Sequence, residues 1–140
     1  MTFVLDASVA IAWCFVDEQT PAVMALLDQV TETGAIAPVL WPIEVTNVLA
    51  VSLRRKRIDA TEFGDLAAFL RMVPVALDAE TTARVWTDAA TLANRFGISV
   101  YDATYLELAR RRGLPLATLD RPLRVAAAAL GIETLGLAPG

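Results

Sequence analysis

The chain has 16 acidic residues, one cysteine and no histidine, so any catalysis it performs must run on carboxylates. Ser-His-Asp and Cys-His schemes, zinc held by histidine or several cysteines, and proton shuttling through paired imidazoles are all excluded. Four acids stand out by position. Asp6 ends the apolar run Phe3-Val4-Leu5, Glu44 follows Trp41-Pro42-Ile43, Asp102 follows Ser99-Val100-Tyr101, and Asp120 follows the mostly apolar stretch 114–119. Carboxylates gathered at one place repel one another, and a hard divalent cation such as Mg2+ or Mn2+ resolves that conflict. Such an ion takes oxygen ligands, keeps several waters and is often held by one or two carboxylates together with a substrate phosphate. It can activate water against a phosphodiester with no help from histidine.

Each acid also has a plain structural reading. Asp6 and Asp120 are good N-caps, Ser99-x-x-Asp102 has the spacing of a capping arrangement, and Glu44 complements the dipole of the helix it opens. Asn47 lies three residues beyond Glu44 and shares its helical face, or is simply solvated. The functional reading therefore rests on whether the fold brings the acids together.

The elements that would do so alternate regularly. Residues 3–5 read as a strand buried on both faces, and residues 8–15 as a helix, apolar nearly all round, whose first turn starts at Asp6 or Ala7. Thr20 and Pro21 start a helix to about Glu32, which Gly34 stops; residues 36–40 form a second strand, ended at or just after Pro38. A helix runs from Trp41 to about Lys56, and another through about Met72. Residues 74–77 make a third strand, after which Asp78 caps a long helix to about Phe96, closed by Gly97. A helix over 103–112, a strand over 114–119, a helix over 121–130 and a strand over 132–135 complete the chain. The pattern predicts one α/β domain over residues 1–140, a mostly parallel sheet with helices on both faces. In such a sheet every strand ends on the same side, so the four acids can converge on one edge.

Composition narrows the setting. The chain is 56% hydrophobic with mean hydropathy +0.51, yet no apolar run approaches the ~18 residues of a membrane span. Asp6 interrupts the first apolar run and no basic region precedes it, which argues against a signal peptide. The expectation is a cytoplasmic protein whose surplus apolar surface is covered by a partner or a second copy, with Cys14 in the core. The net charge of −4 hides an asymmetry, because residues 1–53 carry no Lys or Arg and all 12 basic residues fall in 54–140. An acidic total argues against strong non-specific nucleic-acid binding but leaves room for a basic rim around an acidic centre. Arg54, Arg55, Arg57 and Arg110 to Arg112 are candidates for such a rim, although charge at a helix carboxyl end also complements the dipole. Tyr101 and Tyr105 are candidates for base stacking or for the core.

Four blocks, taken in order, carry a family resemblance. Val-Leu-Asp-Ala-Ser at 4–8, Pro-Ile-Glu-Val-Thr-Asn at 42–47, Ser-Val-Tyr-Asp-Ala-Thr-Tyr at 99–105 and Thr-Leu-Asp-Arg-Pro-Leu at 118–123 resemble the successive motifs of PIN-domain ribonucleases. The likeness is greatest to the VapC toxins of toxin–antitoxin pairs and spans nearly the whole chain. It implies a five-stranded parallel sheet, a metal-dependent endoribonuclease, and Asp6, Glu44, Asp102 and Asp120 as the Mg2+ or Mn2+ site. Thr118, Ser8 and Asn47 are implied as polar supports. The resemblance further implies an RNA substrate, an antitoxin partner and a homodimer. An RNA-processing nuclease outside such a pair, or an inactive PIN-like binding protein, is the alternative. Two other readings fit less well: a phosphoacceptor receiver needs a lysine at a late strand end, whereas the lone Lys56 falls on a helix, and the acid-x-acid signature of haloacid dehalogenases has Ser8 where its second acid belongs.

Overall fold

The computed structural model of the 140-residue chain describes residues 2–137. Strands β1 (Val4–Leu5), β2 (Ala35–Pro38), β3 (Val75–Asp78), β4 (Leu116–Ala117) and β5 (Thr134–Leu135) form one all-parallel sheet in the order β3-β2-β1-β4-β5. Helices α1 (Ala7–Ala12), α2 (Pro21–Thr33), α3 (Trp41–Arg54) and α4 (Ala60–Met72) connect the first three strands. The chain then passes β2 and β1 on its way from β3 to β4 through α5 (Thr81–Arg84), α6 (Ala90–Phe96) and α7 (Val100–Arg112), and α8 (Arg121–Ala129) leads to the far edge, β5. The predicted α/β architecture is the observed one.

The strand order reverses between β1 and β4, and a crevice opens at such a point outside the strands' carboxyl ends. β1 is wholly buried at that reversal: Phe3, Val4 and Leu5 have no exposed surface. That burial explains why its sequence is a continuous apolar run and not an alternating one. Helix α1 is buried too, with only Ser8 partly exposed, and it packs against α3.

Several boundaries follow the local chemistry read from the sequence. Thr20 caps α2 through Val23 N at 3.1 Å, and Gly97 and Gly113 close α6 and α7 in the left-handed conformation. Others differ. Asp78 does not cap a helix; it is the last residue of β3, and α5 starts at Thr81. Its carboxylate is instead engaged by Arg111, at 2.7 Å, and by Thr81 Oγ1, at 3.0 Å, and a buried carboxylate gains more from a guanidinium than from free helix amides. The helix expected to follow is not continuous α either, since Val85–Ala89 is π-helical between α5 and α6. Helix α7 begins at Val100, earlier than expected, which puts Asp102 inside its first turn. Strand β4 covers only two of the residues 114–119.

Candidate metal centre

Asp6 leaves β1 with its amide bonded to the carbonyl of Ala117 at 3.0 Å, which sets it beside the end of β4. Although its backbone occupies the N-cap position of α1, its side chain makes no capping bond. The carboxylate accepts two hydroxyls on Oδ2, from Ser8 at 2.6 Å and Thr118 at 2.8 Å. Capping alone therefore does not account for Asp6. Thr118 is fully buried, and its hydroxyl also accepts the amide of Asp120 at 3.1 Å, while Ser8 Oγ accepts the amide of Leu119 at 3.0 Å. Two hydroxyls thus lock the ends of β1 and β4 together around one carboxylate. Gly136 completes the packing: a Cβ there would lie 3.3 Å from Leu119 Cδ2 and 3.5 Å from the Thr118 carbonyl, and its φ of +115° is itself one that side chains rarely adopt.

Glu44, in the first turn of α3, is half-buried and accepts the phenol of Tyr105 on Oε1 at 2.7 Å. Tyr105 has no exposed surface, and burial, followed by the nearby Glu44, pushes its hydroxyl far up, so it stays a donor. This support was missed in the sequence, where Tyr105 reads as core or as a stacking ring. Its spacing from Asp102 was the available signal, because residues three apart on a helix share a face. Asp102 stands at the amino end of α7, its amide held by Ser99 Oγ at 3.0 Å. Asp120 does cap α8, accepting Leu123 N on Oδ2 at 3.1 Å, so the structural reading holds for part of its role. Asn47 is exposed.

Three of the acids respond to the charge of their neighbours. Burial raises the Asp6 carboxyl, against the Ser8 and Thr118 hydroxyls, and the charge of Asp120 raises it further. Burial also raises Glu44, with Tyr105 opposing and Asp6 and Asp102 adding to the rise. Asp102 is pushed up to about 6, first by burial and then by Asp120 and Asp6. No Lys or Arg among the described residues pairs with any of the four. The result is a partly desolvated anionic centre with hydroxyl support and no protein cation to neutralise it. Its donors are all hard oxygens, which suits Mg2+ or Mn2+ and not a soft metal.

Among the described residues no three His, Cys, Asp or Glu side chains are gathered tightly enough to form a ready-made metal cage. Such a cage suits calcium better than magnesium, which binds through one or two carboxylates and relies on water and phosphate for the rest. The donor set fits that mode of binding.

Comparison with known proteins places the chain in a family. The family model described as the PIN domain matches residues 3–129. Ribonuclease VapC3 of Pyrobaculum aerophilum is 33% identical over 123 residues, which cover 88% of this chain and 92% of the relative. Among solved structures, PAE2754 from Pyrobaculum aerophilum is similar with a TM-score of 0.63 at 21% identity, covering 90% of this chain and 84% of that one. FitAcB from Neisseria gonorrhoeae is similar with a TM-score of 0.68 at 18% identity, covering 97% of both chains. At those identities the two structures speak for the fold alone.

Proposed function

Because the chain belongs to the PIN-domain family, in its VapC branch, we propose that it is a Mg2+- or Mn2+-dependent endoribonuclease acting as the toxin of a toxin–antitoxin pair. The observation that carries this reading is the coupling of Asp6, Glu44, Asp102 and Asp120 at the strand-order reversal with no basic residue among them. A divalent ion bound there supplies charge neutralisation and Lewis-acid activation of water for attack on a phosphodiester. The chain's own residues prepare the centre for it. Ser8 and Thr118 fix the Asp6 carboxylate, Tyr105 engages one oxygen of Glu44, and Ser99 sets the first turn of α7 so that Asp102 faces the same space.

Asp6 and Asp102 would hold the ion directly, Glu44 and Asp120 would act through its waters, and no side chain forms a covalent intermediate with RNA. Burial and neighbouring charge raise three of these carboxyl groups, and a bound cation would relieve both effects. Cleavage by water then leaves 5′-phosphate and 3′-hydroxyl ends. The same reading assigns the protein a cytoplasmic setting, an antitoxin that covers the centre, and a homodimer. Among the described residues no helix is long and apolar enough to cross a membrane.

The test is cleavage of single-stranded RNA by the purified chain with Mg2+ or Mn2+ and with a chelator, followed by analysis of the ends. Cyclic 2′,3′-phosphate ends, or full activity in chelator, would overturn the mechanism. Growth arrest on expression, relieved by a protein encoded in the adjoining reading frame, tests the toxin assignment.

A further inference from the structure

A second feature borders the acidic centre. Between the carboxyl end of α6 and the first turns of α8 lies an open cleft of about 330 Å³, lined by Phe96, Arg121, Pro122, Val125 and Ala126. Both of its walls adjoin residues of the centre in sequence. Arg121 directly follows Asp120, and Phe96 precedes Ser99, the residue that caps the helix carrying Asp102, by three positions. Consecutive Cα atoms are ~3.8 Å apart, so the Arg121 side chain starts within a nucleotide's reach of the Asp120 carboxylate.

Its chemistry is that of a nucleotide site. Phe96 offers a half-buried ring, one face of it covered by the Arg95 guanidinium 4.8 Å from its centroid, and Pro122 and Val125 add apolar surface, Val125 being 62% exposed. Arg121 is exposed and forms no ion pair among the described residues. It also occupies the first position of α8, where the helix dipole disfavours a cation. Arg57, Arg84 and Arg111 have carboxylate partners, and Arg54, Arg55, Arg110 and Arg112 sit at the carboxyl ends of α3 and α7, the opposite ends from Glu44 and Asp102. An acidic centre repels a polyanion, so a substrate strand needs a cation immediately beside it.

Resting on the nuclease reading, we propose that this cleft holds the RNA nucleotide next to the scissile phosphate, its base against Phe96 and Pro122 and its phosphate on Arg121. The pairing of an aromatic platform with a backbone-reading cation is the usual mode for single strands. It makes the α6–α8 cleft a determinant of which nucleotide is accepted on that side of the cut.

The experiment uses the full chain, a fluorescein-labelled random-sequence RNA 12-mer and the exposed-site variants Arg121→Gln and Val125→Glu, neither of which removes a core side chain. Each variant should raise Kd and KM by about tenfold while kcat changes less than about twofold, with unchanged thermal stability. Arg121→Gln should also lower the slope of log Kd against log salt by about one phosphate contact. Shortening the substrate by one nucleotide on the affected side should weaken the wild type and leave the variants indifferent. Unchanged RNA affinity, salt slope and length dependence in both variants overturns the proposal, as does an effect confined to retention of a co-expressed antitoxin. A wild-type chain that neither binds nor cleaves the 12-mer with Mg2+ or Mn2+ overturns the nuclease reading itself.

Discussion

Asp6 carries two opposed demands. It is 5% exposed and raised by burial, so its charge opposes folding, yet its charge is what a cation needs. Asp6→Asn separates the two: cleavage should fall by about 10²–10³-fold or more, while the protein in chelator melts no lower than wild type. Wild type should gain stability on adding Mg2+ or Mn2+, through binding to the native state, and the variant should lose most of that gain. A thermal shift series against cation concentration measures both. Asp102 adds a pH signature. Its folded value of about 6 lies above the ordinary aspartate value near ~3.9. A raised acid favours the fold fully below the unfolded value, and that contribution is lost as pH rises through the folded value. Cation-free protein should therefore lose melting temperature from about pH 4 to about pH 6–7 on account of this group, and saturating cation should flatten the trend. At this scale the sequence announced the acids and their hydroxyl neighbours, because Ser8 and Thr118 fall within two residues of Asp6 and Asp120. It did not announce Tyr105, whose bond to Glu44 spans 61 residues.

Between elements, the most consequential tie is Arg111, which reaches from α7 to the end of β3. Its guanidinium is 2.7 Å from both Asp78 and Glu107 and 3.1 Å from Glu80, and Asp78 and Glu107 are themselves buried. Burial alone would raise Asp78, but the Arg111 and Thr81 hydrogen bonds outweigh it and hold the carboxyl below its usual value. That stabilisation is complete above the unfolded aspartate value and disappears as pH falls through the folded one. Arg111→Met would strand two buried carboxylates and should cost ~3–5 kcal/mol, seen as a lowered urea midpoint with an unchanged slope. The same tie explains the sequence misreading of Asp78. An acid after a strand and before a helix has the local form of an N-cap, and only its partner 33 residues away shows otherwise. Local signals with local partners, such as Thr20, Gly97 and Gly113, were legible for the opposite reason. The π-helical residues Val85–Ala89 had no legible local signal, since Val-Trp-Thr-Asp-Ala contains no glycine or proline.

For the molecule as a whole, the alternation of apolar strands and helices was enough to predict the parallel sheet, since burial on both faces writes itself into composition. The strand order was not predictable that way, because it depends on the long crossover from β3 to β4. Surface chemistry adds one further expectation. Met72 and Trp86 are each 84% exposed and Leu77 is 45% exposed, and all three fall between residues 72 and 86, on and beside the edge strand β3. Large apolar groups at a sheet edge are suited to covering by a second copy. On the proposed homodimer, Trp86→Glu should shift the sedimentation coefficient from that of a dimer toward that of a monomer, with the melting curve of the protomer preserved.

The bond between Thr118 and Asp6 joins positions 112 residues apart, and β1 lies between strands made early and late. A ribosome must therefore release nearly the entire polypeptide before the centre can close, as pairing of β1 with β4 waits for synthesis of the final strands. A nascent or truncated product would lack the Thr118 side of the centre, so on the proposed reading any cleaving competence would arrive only once the late strands are made.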